Sequence, residues 1–202
     1  MKTTLIFATN NKHKVYEVCS LVGEQFEVIT LSDAGINIDI PEPHDTIEAN
    51  ASEKSRTIYK LTGKNCFGED TGLEVGALNG APGVKSARYA GEQKSFDANI
   101  EKLLFELKAI EDRSAQFKTV VSLVWNGQEH LFEGITKGKI IREKKGGNGF
   151  GYDPVFVPEG SEKTFGEMTL NEKNIFSHRR KAIDKLIRFL HANTNEEPAR
   201  II

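Results

Sequence analysis

The feature that most limits the fold is a hairpin signature in the middle of the chain. Phe117, Val121, Leu123 and Trp125 fall on alternate positions, Asn126-Gly127 follows, and a second run returns from Leu131 to Thr136. Asn-Gly between two such runs predicts a type I′ turn, because both of its central positions need positive φ. Long antiparallel pairing here rules out an all-helical fold and a strictly alternating parallel sheet.

Helical periods and buried strands surround this hairpin. Thr4 to Ala8 reads as a buried strand, and Asn10 or Asn11 caps a helix carrying Val15, Val18 and Val22. Glu27 to Leu31 predicts a second strand. A loop over 32–44 holds Pro41 and Pro43, and Asp45 with Glu48 reads as the capping box of a second helix that Gly63 ends. In Gly68-Glu69-Asp70-Thr71-Gly72 the flanking glycines predict a bend or hairpin. Residues 76–92 form a loop. A helix from Ser95 to Glu111 buries Ile100, Leu103, Leu104 and Leu107, and Gly146 to Pro154 is a glycine-rich loop before a strand at Val155 to Val157. The last helix begins near Ser177, with Ala182, Ile183, Leu186, Ile187 and Leu190 on one face, and 193–202 read as a loose tail. The expectation is one α/β domain over 1–202, with a mixed twisted sheet and two lobes flanking a central cleft.

Composition excludes several classes. Lys and Arg number 27 against 29 Asp and Glu, a net charge of -2, which argues against general nucleic-acid binding. No apolar run approaches the roughly 18 residues of a membrane span, and the N-terminus lacks the pattern of a secretory signal. Cys19 and Cys66 make neither a disulfide framework nor a zinc site; both fall in apolar patterns and read as core residues of a cytoplasmic protein.

The P-loop, dinucleotide, serine-hydrolase and zinc-protease signatures are missing. Four other segments carry possible chemistry. Thr9-Asn10-Asn11-Lys12-His13-Lys14 places cations at a helix start, where they oppose the macrodipole unless an anion binds; the alternative is a solvated helix start. Ser177-His178-Arg179-Arg180-Lys181 repeats the anomaly, with an indifferent surface helix as the alternative. Glu69-Asp70, with Glu42 as a possible further ligand, suits Mg²⁺, which usually takes one or two carboxylates plus substrate phosphates; a solvated turn is the plain reading. Phe150-Gly151-Tyr152-Asp153-Pro154 offers aromatics for base stacking or for covering the core.

Five blocks in order give these segments a common meaning. They are Thr9 to Lys14; Glu42 with Thr46 to Ala51; Glu69 to Leu73; Gly80 to Gly83 with Ser86 to Tyr89; and Gly149 to Pro154 with Ser177 to Arg179. Over Thr4 to about Leu190 the chain resembles the Ham1-type inosine triphosphate pyrophosphatases, enzymes of non-canonical purine nucleotides. The resemblance implies a two-lobed fold, a homodimer, and Mg²⁺-dependent hydrolysis of ITP, dITP and XTP. It implies that Glu42 and Asp70 hold the metal and that Asp70 accepts the proton. Thr9, Asn11 and Lys14 would hold the triphosphate, helped by Lys54, with Asn10, Lys12, His13 and Thr71 as further substrate-binding residues. Phe150, Gly151, Tyr152, Asp153, Lys173, Ser177, His178 and Arg179 would enclose the base. Three positions depart from the family pattern. Asn10 stands for a glycine, Arg180 stands where a glycine often follows, and Ala49-Asn50 replaces Glu-Asn. Pyrophosphatases of pyrimidine or modified nucleotides, and a nucleotide-binding regulator without turnover, are the rival readings.

Overall fold

The computed structural model describes residues 2–22 and 26–194. Seven strands form one mixed sheet. They are β1 (Thr3–Phe7), β2 (Phe26–Thr30), β3 (Cys66–Val75), β4 (Pro82–Gly83), β5 (Ser114–Trp125), β6 (Gln128–Ile140) and β7 (Phe156–Pro158). Their order is β2-β1-β3-β5-β6-β7, with β4 beside β3. β1 pairs parallel with β2 and β3; all later pairings are antiparallel. The Asn126-Gly127 turn forms as expected, at φ 49° and 84°.

The helices are α1 (Lys12–Cys19), α2 (Ile47–Thr62), α3 (Phe96–Glu106), α4 (Leu170–Phe176) and α5 (His178–Thr194). Asn11 caps α1 and Thr46 caps α2. The cap expected at Asp45 thus sits one residue on, where the Thr46 hydroxyl accepts from the Ala49 N–H. Gly63 closes α2 at φ 66°. The expected third helix is shorter, because its first-turn cap is Ser95 but the chain leaves helical geometry at Leu107. Short α4 was not expected; a Thr169–Glu172 capping box stabilises its start. Asn193 and Thr194 extend α5, and the remainder of the expected tail, 195–202, lies outside the described residues.

Two corrections concern the middle. Gly68 to Gly72 is not a bend: β3 runs straight through it and pairs with β5 from Cys66↔Val124 to Val75↔Ala115. The glycines serve close approach instead. A Cβ on Gly68 would lie 2.6 Å from Lys54 Cβ and 2.7 Å from the Ala51 carbonyl oxygen, so α2 can lie directly on β3. Cys66 is buried, whereas Cys19, at the end of α1, is exposed; the core reading holds for the first alone.

Apolar side chains gather at both ends of the long strands. Leu5, Phe7, Phe67, Leu123, Ile183 and Leu186 belong to one cluster. Leu73, Val75, Phe117, Phe156 and Phe165 belong to another. β3 and β5 contribute to both, so the two halves share strands. The segment after β2 is pinned by Ile36, Ile38 and Ile40 against a third cluster around Ile6 and Ile58, and this sets the position of Glu42.

Candidate active site

A cleft of about 470 Å³ is lined by Leu73 and Phe117 of the second cluster and by Ala8 and Leu31 of the third. Every residue that the resemblance assigns to the site lines it except Lys12 and Ser177, whereas Glu69, Arg180 and Lys181, also singled out in the sequence, do not. Lys12 is exposed. Ser177 is buried and caps α5, its hydroxyl accepting from the Arg180 N–H at 3.2 Å.

At one end stands the α1 start. Asn11 Oδ1 accepts from the His13 and Lys14 N–H groups at 3.0 and 3.2 Å, and Thr9 Oγ1 accepts from the Asn11 N–H at 3.2 Å. Asn10 needs no positive φ; its amide donates to the Ile38 carbonyl at 3.0 Å. The replacement of glycine there is accommodated without left-handed geometry. Lys14 is largely buried and sits 3.4 Å from Glu69 Oε1. Burial draws its pKa below the ordinary lysine value, although Glu69 opposes this.

β3 supplies the acids on opposite faces, as strand alternation requires. Asp70 faces α2, where Lys54 donates to Asp70 Oδ1 and the Glu69 carbonyl, each at 3.0 Å. Glu42 Oε1 is 2.5 Å from the same ammonium, and Arg88 holds the other Glu42 oxygen at 3.2 Å. Burial pushes the Asp70 carboxyl above its ordinary value, more strongly than Lys54 lowers it. For Lys54, burial disfavours the charge, but Asp70 and Glu42 outweigh it and the pKa rises.

Glu69 and Thr71 face α5. Arg179 is 1% exposed and donates to both Glu69 oxygens at 2.9 Å, to Thr71 Oγ1 at 3.3 Å, and to Glu17. Four of its five N–H groups are thereby engaged. Burial disfavours the Glu69 charge, but Arg179 and Lys14 hold its carboxyl far below the usual range. Lys173 bridges Glu17 at 2.8 Å and Asp153 at 2.7 Å. Asp153 also accepts from the Phe150 N–H at 2.8 Å, so it shapes the glycine-rich loop. Phe150 stacks on His13 with centroids 5.0 Å apart, and Lys173 lies 5.3 Å from the ring. Tyr152 is buried and donates to the Ser86 carbonyl at 2.9 Å; its hydroxyl braces that loop. His178 stacks on Phe117 at 4.6 Å. Its Nδ1 is buried without a hydrogen-bond partner among the described residues. Burial, with Arg179 and Lys173 nearby, keeps the ring neutral by lowering its pKa.

Three residues of this network escaped the sequence reading of roles: Glu17, Glu69 as the Arg179 partner, and Arg88. Glu17 had a signal, since it adjoins Val18 on the inward side of α1 and a buried carboxylate requires a cation. Arg88 lies in the Ser86 to Tyr89 block, but nothing in the sequence pairs it with Glu42, 46 positions away. The surface-helix alternative fails for His178 and Arg179, both buried, and holds for Arg180 and Lys181.

The blocks and the cleft they build coincide with a known family. The Ham1 family model matches residues 5–189. The chain belongs to the Ham1 family. Among its relatives is the Flavobacterium johnsoniae protein named dITP/XTP pyrophosphatase, 51% identical over 93% of this chain and 98% of that one. The Bacillus licheniformis protein of the same name is 45% identical over 90% and 95%. The Staphylococcus aureus Ham1 protein structure superposes with a TM-score of 0.86 at 41% identity, covering 95% of this chain and 100% of that one. The HAM1 protein of Coxiella burnetii gives 0.86 at 36% identity, over 94% and 99%.

This Ham1-family cleft passes a chemical test for a hard cation. Glu42 and Asp70 oxygens converge on one point, marked by the Lys54 ammonium, and both are the oxygen donors such an ion takes. Among the described residues no group of three or more His, Cys, Asp or Glu is placed to hold a metal alone. Substrate oxygens would have to complete the shell. No helix among the described residues is long and apolar enough to cross a membrane.

Proposed function

We propose that this Ham1-family chain hydrolyses ITP, dITP and XTP to the monophosphate and pyrophosphate, clearing non-canonical purines from the nucleotide pool. The observation that carries the reading is the make-up of one cleft. Lys14, Lys54, Glu42 and Asp70 line it together with Phe150, Lys173 and Arg179, and Lys14 and Arg179 meet at Glu69 Oε1. Cations and carboxylates for a polyphosphate and its metal, beside an aromatic ring for a base, suit a nucleoside triphosphate. The whole chain acts as one unit, as a cytoplasmic homodimer.

Mg²⁺ held by Glu42 and Asp70 would neutralise phosphate oxygens and polarise phosphorus. Asp70 orients and deprotonates the attacking water. Lys14, at the α1 start, holds the leaving pyrophosphate. Hypoxanthine and xanthine offer a 6-keto acceptor to Arg179 or Lys173, where adenine offers a donor. An unpaired buried donor costs about 1–3 kcal/mol. Rejection of guanine, which also has the keto group, requires discrimination at the 2-position.

Pyrophosphate release across a panel of purine, pyrimidine and modified nucleoside triphosphates tests the reading. The expected order places ITP, dITP and XTP far above ATP and the pyrimidines. Preferred turnover of a pyrimidine, or binding without release, would replace this reading with one of its rivals.

A further inference from the structure

Lys54 occupies the position that the two metal-binding carboxylates define. Its ammonium has three protons, and three acceptors take them: Glu42 Oε1 at 2.5 Å, Asp70 Oδ1 at 3.0 Å and the Glu69 carbonyl at 3.0 Å. The side chain is 8% exposed. Its Cβ is fixed, because α2 is seated on β3 at Gly68, whose missing Cβ would meet Lys54 Cβ at 2.6 Å, so the ammonium moves only by rotation of the flexible stem.

The charge balance points the same way. Glu42 and Asp70 face Lys54 and Arg88 in one ion-pair cluster, with exposed Glu92 3.9 Å from Arg88 at its rim. A divalent cation entering this cluster alone would leave it with a net positive charge. A triphosphate entering with it more than removes the excess, and also offers Lys54 new oxygens.

We propose that Lys54 is a built-in cation that keeps divalent metal off Glu42 and Asp70 until a polyphosphate draws its ammonium away, so that metal and nucleotide load together. This rests on the reading that Glu42 and Asp70 take the metal. Lys54 is a positioning residue for the unliganded pair and a phosphate partner afterwards. Two consequences follow from the charges alone. Removing the ammonium frees two carboxylates for metal, and the same removal weakens the polyphosphate site.

The test is Mn²⁺ binding to the full chain without nucleotide, read from the loss of the free-ion electron paramagnetic resonance signal. Lys54→Met should bind Mn²⁺ at least about tenfold more tightly than wild type, the smaller end of what a unit charge at about 4 Å does to a divalent ion. Lys54→Met combined with Asp70→Asn should lose that gain. Equal or weaker binding by Lys54→Met, or a gain that survives Asp70→Asn, overturns the proposal. A wild-type measurement stands apart from the folding of any variant: Mn²⁺ should raise the melting temperature with α,β-methylene-ITP and not without it. Mn²⁺ saturating the unliganded wild type as tightly as the complex also overturns the proposal. Wild-type pyrophosphate release from ITP reports the functional reading separately, so either can fail while the other stands.

Discussion

Gly68→Ala tests how closely helix-on-sheet packing sets the catalytic geometry. The added methyl would lie 2.6 Å from Lys54 Cβ, 2.7 Å from the Ala51 carbonyl oxygen and 2.9 Å from the Ser55 nitrogen. Two of these are backbone atoms, so no rotamer change relieves them. Restoring the 3.4 Å of ordinary contact requires α2 to withdraw by about 0.8 Å from β3. Overpacking of this kind costs about 1–3 kcal/mol, or roughly 2–4 °C of melting temperature for each kcal/mol in a chain of this size. The functional cost should be larger. Lys54 rides on α2 and Asp70 on β3, so the withdrawal acts directly on their 3.0 Å contact. A misplacement near 1 Å can cost about 10²-fold in rate. Thermal melting and pyrophosphate release from ITP measure the two effects on one sample. A folded Gly68→Ala protein with wild-type kcat would refute the claim that this contact positions the site.

Asp70→Asn keeps the shape and removes the proton acceptor, so kcat should fall by at least about 10²-fold; near-normal turnover in the folded variant would exclude Asp70 from proton transfer. Arg179→Ala leaves Glu17 and Glu69 buried without their main cation, and should cost about 3–5 kcal/mol in chemical denaturation. In the same variant kcat/KM for ITP should drop while the poor ATP value stays nearly constant; a parallel drop would assign Arg179 to phosphate instead. Glu17 and Glu69 have folded pKa values held below their unfolded ones. Their stabilisation is therefore present above about pH 4.3 and is lost as pH falls toward the folded values. Denaturation midpoints should decline below about pH 4, and less steeply in Glu69→Gln; identical slopes would discount the pair.

Local rules made most of the frame legible. The Asn126-Gly127 hairpin, the Asn11 cap and the Gly63 terminus each depend on a few neighbouring residues, and each appears where its chemistry places it. The glycines around Asp70 misled because a glycine signals either unusual φ or close approach, and only the position of α2 distinguishes them. In the cleft, the sequence offers candidate ions but not their partners. Arg179 meets Glu69 and Glu17 across 110 and 162 residues, distances over which no periodicity acts. The same holds for Tyr152, whose aromatic character suggested a base and whose hydroxyl instead ties down the Ser86 carbonyl. His178 shows the reverse: a buried ring kept neutral by its surroundings is a site property that charge counting misses.

The strands shared by the two clusters also decide what light can report. The chain has a single tryptophan, Trp125, at the hairpin end of β5 and packed beside the cluster of Phe7 and Phe67. Asp70 pairs with Val120, five residues back along the strand, or about 17 Å at 3.4 Å per residue. Indole emission, unlike that of Tyr152 in the cleft, therefore watches the far half of the molecule, and a nucleotide entering the cleft passes in its blind spot. Because β3 and β5 are continuous through both halves, however, the cleft has no separate scaffold to fall back on. The optical signal of a remote indole thus becomes a faithful clock for the collapse of a site it cannot see.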